Sequence, residues 1–198
     1  MDQTIWGKVF WDFLHGLIEV ADDTYARKGC LSFVFNSLAV LLPCKKCRCN
    51  YLVSLEKTPF PATNDRAEMQ RWLIDMHNTV NAELGKKQLS YREAYAYIRT
   101  IKSPLRLLPL VWGVMHYNIE RNMIERPMRA VMRNTLVGFE RNLMCVLSEC
   151  KSTSAGLRAL FTQTLARHVN WDKIDQMKIR KTWKPDKTIT REKVHCLI

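Results

Sequence analysis

The sequence predicts an all-α protein, and three observations carry that expectation. Apolar residues recur at 3.6-residue spacing from the first turn onward. No segment of residues 1–100 alternates apolar and polar side chains with period two, the mark of a half-buried strand. Only seven glycines and seven prolines occur among 198 residues, with no low-complexity run, so the chain is expected to fold throughout. An apolar content of 47% is ample for a core. The length allows two small domains, here divided as 1–100 and 101–198.

Thr4 can cap a first helix with apolar positions Ile5, Val9, Phe13 and Leu17, and with Trp6, Phe10 and Leu14 beside them. Trp11 and His15 are four apart and share one face. A single histidine on an apolar face is ordinarily a satisfied core residue, but a tryptophan beside it favours a flat, partly polar aromatic guest. Asp22-Asp23 ends the pattern. A second helix is expected from about Leu31 to Leu42, with Cys30 a structural residue at its start. Pro43 breaks it, and a third helix runs from near Cys44 to about Leu55. Thr58-Pro59-Phe60-Pro61 reads as a loop. Asn64 or Asp65 caps a fourth helix with a stripe of Trp72, Leu73, Met76, Val80 and Leu84.

Two stretches carry chemistry. The first is Pro43-Cys44-Lys45-Lys46-Cys47, a CxxC pair behind a proline and flanked by cations. Two thiols at this spacing can close a disulfide across the first turn of a helix or hold a metal. The helix N-terminus together with Lys45, Lys46 and Arg48 would stabilise a thiolate there, which favours redox chemistry. The second is His77-Asn78-Thr79-Val80-Asn81, followed by Leu84-Gly85-Lys86-Lys87. His77 and Asn81 stack at i and i+4, and Asn78 can pair with Asn81 at i+3. Polar groups on an apolar helix need partners if buried, and a nucleotide supplies many. Lys86 and Lys87, just past the Gly85 break, would suit a diphosphate; an ordinary helix end with solvated lysines is the plainer reading.

The composition restricts the alternatives. No uninterrupted apolar stretch approaches the roughly 20 residues needed to cross a bilayer, and the amphipathic start shows no secretory signal. Seven cysteines are an odd number and lack the spacing of a small disulfide scaffold. Structural zinc fares poorly, because no second Cys/His pair follows Cys44, Cys47 and Cys49 at ligand spacing, and no metal is expected. A thioredoxin-type site needs a sheet beside its CxxC. Net charge is +12, with 13 Lys/Arg against 11 Asp/Glu in residues 1–100 and 18 against 8 in residues 101–198. A basic helical module that binds nucleic acid and carries a structural CxxC is therefore the rival from another class, and it would be colourless and bind DNA in a salt-dependent way.

Taken in order, Trp11-x3-His15, Cys44-x2-Cys47, His77-Asn78-x-Val80-Asn81 and Leu84-Gly85-Lys86 resemble the FAD-linked sulfhydryl oxidases of the Erv/ALR type, over roughly residues 5–99. The terse form of the motifs looks more like the oxidases of large DNA viruses than the cellular ones. The resemblance implies a four-helix bundle plus a short fifth helix cradling FAD. It implies a thiol oxidase that takes electrons from protein dithiols and delivers them to O2. On the composition above, neither a membrane nor a nucleic-acid partner is expected. It places Trp11 and His15 on the flavin and adenine rings, with Lys8 near the cofactor in place of the family's usual arginine. His77, Asn78, Val80, Asn81, Leu84 and Lys86 would line the nucleotide, with Tyr91 or Tyr95 in place of an aromatic near the family's C-terminus. Cys47 would lie beside the flavin, and Cys44 would exchange with substrate. The family's cellular members carry a further disulfide where this chain has Ile74 and Ser90, so that staple is absent; the usual tyrosines are also missing near Glu19 and Val20. If the chain is viral, the resemblance implies the infected cell's cytoplasm and the virion as its location.

The second half reads as a faded copy. Trp112-x3-His116 follows Trp11-x3-His15 by 101 residues, Cys145 follows Cys44 by 101 behind an apolar run from Val131 to Met144, and Leu165–Asn170 resembles the stretch around His77 and Asn81. The Cys145-x4-Cys150 spacing is too wide for the same turn, so the copy is expected to hold no flavin. It would pack on the first half as the second subunit does in the family's homodimers, the alternative being an unrelated extension and a true homodimer. Cys49, Cys145, Cys150 and Cys196 are candidate relay thiols, more ordinarily plain buried ones. The basic tail from Met177 is expected to be mobile at its end.

Overall fold

The computed structural model describes residues 3–21, 25–101, 103–121, 124–147, 163, 166–169 and 174. Seven helices and no strand occur among the described residues: α1 (Gln3–Val20), α2 (Tyr25–Leu41), α3 (Lys45–Lys57), α4 (Arg66–Glu83), α5 (Tyr91–Ile98), α6 (Pro104–Arg121) and α7 (Arg126–Leu147).

The core gathers the apolar faces of these helices, although Leu84, predicted for the stripe of α4, is exposed just past its end. Phe10, Phe13, Leu14, Leu17 and Ile18 of α1 and Leu31, Val34, Phe35, Leu38 and Leu41 of α2 are all buried. Helix α2 begins six residues before its expected start, so Cys30 lies within it. Gly29 is tolerated there at a cost of about 1 kcal/mol because burial of the following apolar residues outweighs it. Pro43 separates α2 from α3, as expected. Asp65 caps α4 by accepting from Ala67 N, and Phe60 from the preceding loop packs against Phe35 and Trp72.

Helix α5 starts in a capping box in which Ser90 Oγ accepts from Glu93 N, while the Glu93 carboxylate accepts from Ser90 N. Ile74, Ala94 and Ile98 form a small second core with Leu89 and Ile101 at its edge. Apolar packing by Ile74 thus stands where the missing staple would be.

The remaining two helices cover the first two, with α6 along α1 and α7 along α2. A Cβ at Gly16 would lie 3.3 Å from Pro104, which shows how closely α1 and α6 meet. Gln3 and Pro104 differ by 101 positions, as do Tyr25 and Arg126, so both later helices begin at the offset of the sequence echoes. The equivalence ends at the cysteine. Cys44 stands between two helices, whereas α7 runs unbroken through Cys145, because no proline precedes Cys145. The segments holding Cys150, Leu165, Asn170, Cys196 and the tail lie outside the described residues.

Candidate active site

Cys44 and Cys47 are joined by a disulfide with their Cα atoms 5.1 Å apart. Cys44 is the N-cap of α3, and its sulfur accepts from Cys47 N at 3.2 Å, so the helix directs an amide and the positive end of its dipole at this atom. Arg48 secures the turn by donating to Leu42 O at 2.7 Å. The two sulfurs have different surroundings. Cys47 lines a cavity of about 750 Å³, while Cys44 is half-buried outside that lining. Lys45 and Lys46 are exposed beside them.

The cavity lies between α1, α3, α4 and α5. Trp11 and His77 stack face to face in its wall with ring centroids 4.1 Å apart and planes 7° from parallel, and His15 stands 5.7 Å from His77. Both imidazoles are neutral near pH 7. Burial is the main cause in each; it pushes His77 down to about 4, helped by the neighbouring His15 and Lys86, and lowers His15 as well. The pocket therefore has flat, uncharged walls suited to a conjugated ring. His15 Nδ1 lies 2.9 Å from Gln70 Oε1, and the Gln70 amide also donates to His15 O at 2.9 Å and Glu19 Oε1 at 2.7 Å.

At one rim, Lys8 pairs with Asp12 at 2.6 Å, donates to the Tyr97 hydroxyl, and sits 5.1 Å from the centre of the Tyr97 ring. Tyr97 itself donates to Asp12 at 2.6 Å, tying α5 to α1. These contacts, first the hydrogen bond to Asp12, raise the Lys8 pKa and keep it cationic. At another edge, Asn50 donates to Glu83 at 2.6 Å and joins α3 to α4.

The end of α4 shapes a third side. Gly85 has φ of +64°, a left-handed turn that glycine takes without strain, and it reverses the chain so that Lys86 N bonds Asn81 O. Asn78 spans the loop that follows, donating to Leu89 O at 2.8 Å and accepting from Leu89 N at 2.9 Å. Its partner is thus the distant loop rather than Asn81.

The structure gathers Lys8, Trp11, His15, Cys47, His77, Asn78, Val80, Asn81, Leu84 and Lys86 around one cavity. Lys87, Tyr91 and Tyr95 are not in that lining. Lys87 pairs with Glu93 at 2.6 Å, Tyr91 donates to Asp75, and Tyr95 donates to Ala67 O. The α5 tyrosine that lines the cavity is Tyr97, which the sequence reading did not name. Asp12 was also missed, although its spacing of four from Lys8 on one helix is a legible ion-pair signal. Gln70 gave no such signal.

The sequence profile of the Erv1/Alr family matches residues 8–99. A probable FAD-linked sulfhydryl oxidase of Acanthamoeba polyphaga mimivirus is 34% identical over 111 residues, covering 54% of this chain and 78% of the relative. The chain belongs to the Erv1/Alr family. Other relatives include an FAD-linked sulfhydryl oxidase of African swine fever virus, 33% identical over 91 residues (44% of this chain and 75% of the relative), and one of Arabidopsis thaliana, 32% identical over 82 residues (40% and 42%). No solved structure matches the chain significantly.

As a member of the Erv1/Alr family, the chain is an FAD-dependent thiol oxidase. Its residues fit the cofactor: the volume lies in the usual range for cofactor sites, the ring walls are neutral, and Lys8 and Lys86 supply cations at the rim for a diphosphate. Among the described residues no His/Cys/Asp/Glu cluster could hold a metal ion, and no helix is long and apolar enough to cross a membrane.

Proposed function

We propose that this oxidase makes disulfides in protein substrates, with Cys44 as the exchanging sulfur and Cys47 as the sulfur beside the cofactor. The observation that carries the assignment is the asymmetry of the pair, since only Cys47 lines the cavity. A substrate thiolate attacks Cys44 Sγ; the Cys44–Cys47 bond breaks and Cys47 leaves as a thiolate. The second substrate thiol, as thiolate, attacks the substrate sulfur of the mixed disulfide and releases oxidised substrate and Cys44 as a thiolate. The amide of Cys47 and the adjacent cations favour the thiolate at Cys44, which makes it a good leaving group in this step. Bound FAD would supply an acceptor for the pair's two electrons with O2 as the final oxidant, so that overall dithiol and O2 would become disulfide and H2O2. The chain's own part is to hold the ring site neutral and to keep Cys47 inside it.

Purified protein should be yellow and should consume one O2 per dithiothreitol oxidised. Cys47→Ala should keep its colour and lose turnover, and unchanged turnover in that variant would refute the assignment.

We also read residues 101–198 as a degenerate copy that serves as an internal partner, in place of a homodimer. The pairing of α1 with α6 and of α2 with α7, at a constant offset of 101, supports this, because each helix then meets its own counterpart, as in a two-fold interface. The copied pocket is filled from within. Trp112 stacks on His116 at 4.9 Å and donates to buried Glu140, and Val169 and Ile174 crowd Gly113, the counterpart of Asp12. One FAD per chain follows. For a viral chain we propose the infected cell's cytoplasm and the virion as its location, where disulfide formation needs a dedicated oxidase.

A further inference from the structure

Gln70 is 1% exposed, and its hydrogen bonds leave one arrangement for its amide. One end faces His15 O at 2.9 Å and Glu19 Oε1 at 2.7 Å. A main-chain carbonyl only accepts, so that end must be the NH2 group. The amide oxygen then faces His15 Nδ1 at 2.9 Å. An amide oxygen also only accepts, so Nδ1 carries the hydrogen. Burial keeps the ring neutral, so its other nitrogen, Nε2, holds a lone pair. The ring lines the cavity, and no described residue bonds Nε2.

We propose that Gln70 is a positioning residue that fixes His15 as the Nδ1–H tautomer, so that Nε2 accepts a hydrogen bond from an N–H or O–H group of the bound cofactor. This rests on the cavity being the FAD site. Free histidine prefers the opposite tautomer, with hydrogen on Nε2, which would put a donor where the site needs an acceptor. Gln70 reverses that preference through three bonds made 51 and 55 residues away in sequence, on a helix that otherwise contributes ring and amide contacts to the cavity.

The test is histidine-ring nitrogen NMR on the full-length protein, with His15 assigned from the signals lost in His15→Asn. FAD binding to the apoprotein is followed in parallel by quenching of flavin fluorescence. The wild type should show His15 Nδ1 protonated and Nε2 bare. Gln70→Met, similar in size but without an acceptor oxygen, should move the hydrogen to Nε2 and weaken FAD binding about tenfold, the worth of one well-made hydrogen bond. A purely structural glutamine would let Gln70→Met weaken binding without changing the tautomer, and that result would overturn the proposal. So would an Nε2–H ring in the wild type, a measurement that stands even if Gln70→Met does not fold. If the wild type takes up no FAD, the FAD reading itself falls, and the acceptor role falls with it.

Discussion

Acid should weaken this fold through His77, and the size of the effect follows from its surroundings. The imidazole is stacked on Trp11 in the cavity wall, and burial holds its pKa at about 4, against 6.5 for the ordinary side chain. Above pH 6.5 the ring is neutral in both folded and unfolded chains, and His77 makes no pH-dependent contribution. Below pH 6.5 the unfolded chain binds a proton that the folded chain refuses, so stability falls as pH drops, until the folded ring also titrates near 4. Linkage gives a loss of about 2 kcal/mol at pH 5, rising to about 3 kcal/mol at pH 4. The assay is urea unfolding of the apoprotein at pH 7 and pH 5, for the wild type and for His77→Phe. Phenylalanine keeps a flat ring against Trp11 but cannot titrate. The wild type should lose about 2 kcal/mol more than the variant between the two pH values. Every other titrating group is common to both proteins, and His15, shifted in the same direction, remains in each. Equal losses in the two proteins would mean that the ring is hydrated or paired, and the picture of a neutral ring wall would fail.

Three further outcomes test separate parts of the fold. Asn78→Ala removes both bonds to Leu89 and should cost about 2 kcal/mol in urea unfolding while weakening FAD binding, since the loop from Gly85 loses its tie. Tyr97→Phe releases Lys8 and Asp12 from α5; FAD binding should weaken several-fold, by equilibrium titration, with little change in unfolding midpoint because Tyr97 is half-exposed. Gly113→Val would place side-chain carbon within 3 Å of Ile174 and Val169, so it should destabilise by about 1–3 kcal/mol and open residues 166–169 to limited proteolysis, while FAD content stays at one per chain.

What the sequence made legible was what a helix reveals about its own faces. The stripes of α1 and α4 follow from 3.6-residue spacing, and the Cys44–Cys47 turn and the Gly85 stop follow from local chemistry. Partners on other helices left no such trace. Asn78 has Asn81 within reach on its own helix, yet it serves Leu89 across the loop. Gln70 reads as an ordinary polar residue beside Trp72, yet it sits buried under His15 at a separation of 55 residues. Tyr97 is one of three tyrosines on a short amphipathic helix, and only the docking angle of α5 decides which of them faces the cavity. The early start of α2 has no apolar stripe upstream of Leu31 to announce it, and the local cost of Gly29 is offset only by packing of the helix, chiefly against α7.

The anchoring of α5 bears directly on the cavity. Helix α5 is eight residues long, too short to be stable alone, and it supplies Ala94, Tyr97 and Ile98 to the cavity wall. Without a disulfide at Ile74 and Ser90, it is held by its capping box, by Ile74 against Ala94 and Ile98, by the Asn78 tie and by the Tyr97–Asp12 bond. Each of these is worth on the order of 1 kcal/mol or a little more, and FAD held in the cavity would contact the same wall. A ligand that binds only the docked form stabilises that form in proportion to its saturation. FAD and α5 therefore hold each other, and removing the flavin should loosen residues 85–99 before the α1–α2–α6–α7 core, whose buried phenylalanines and leucines do not depend on it.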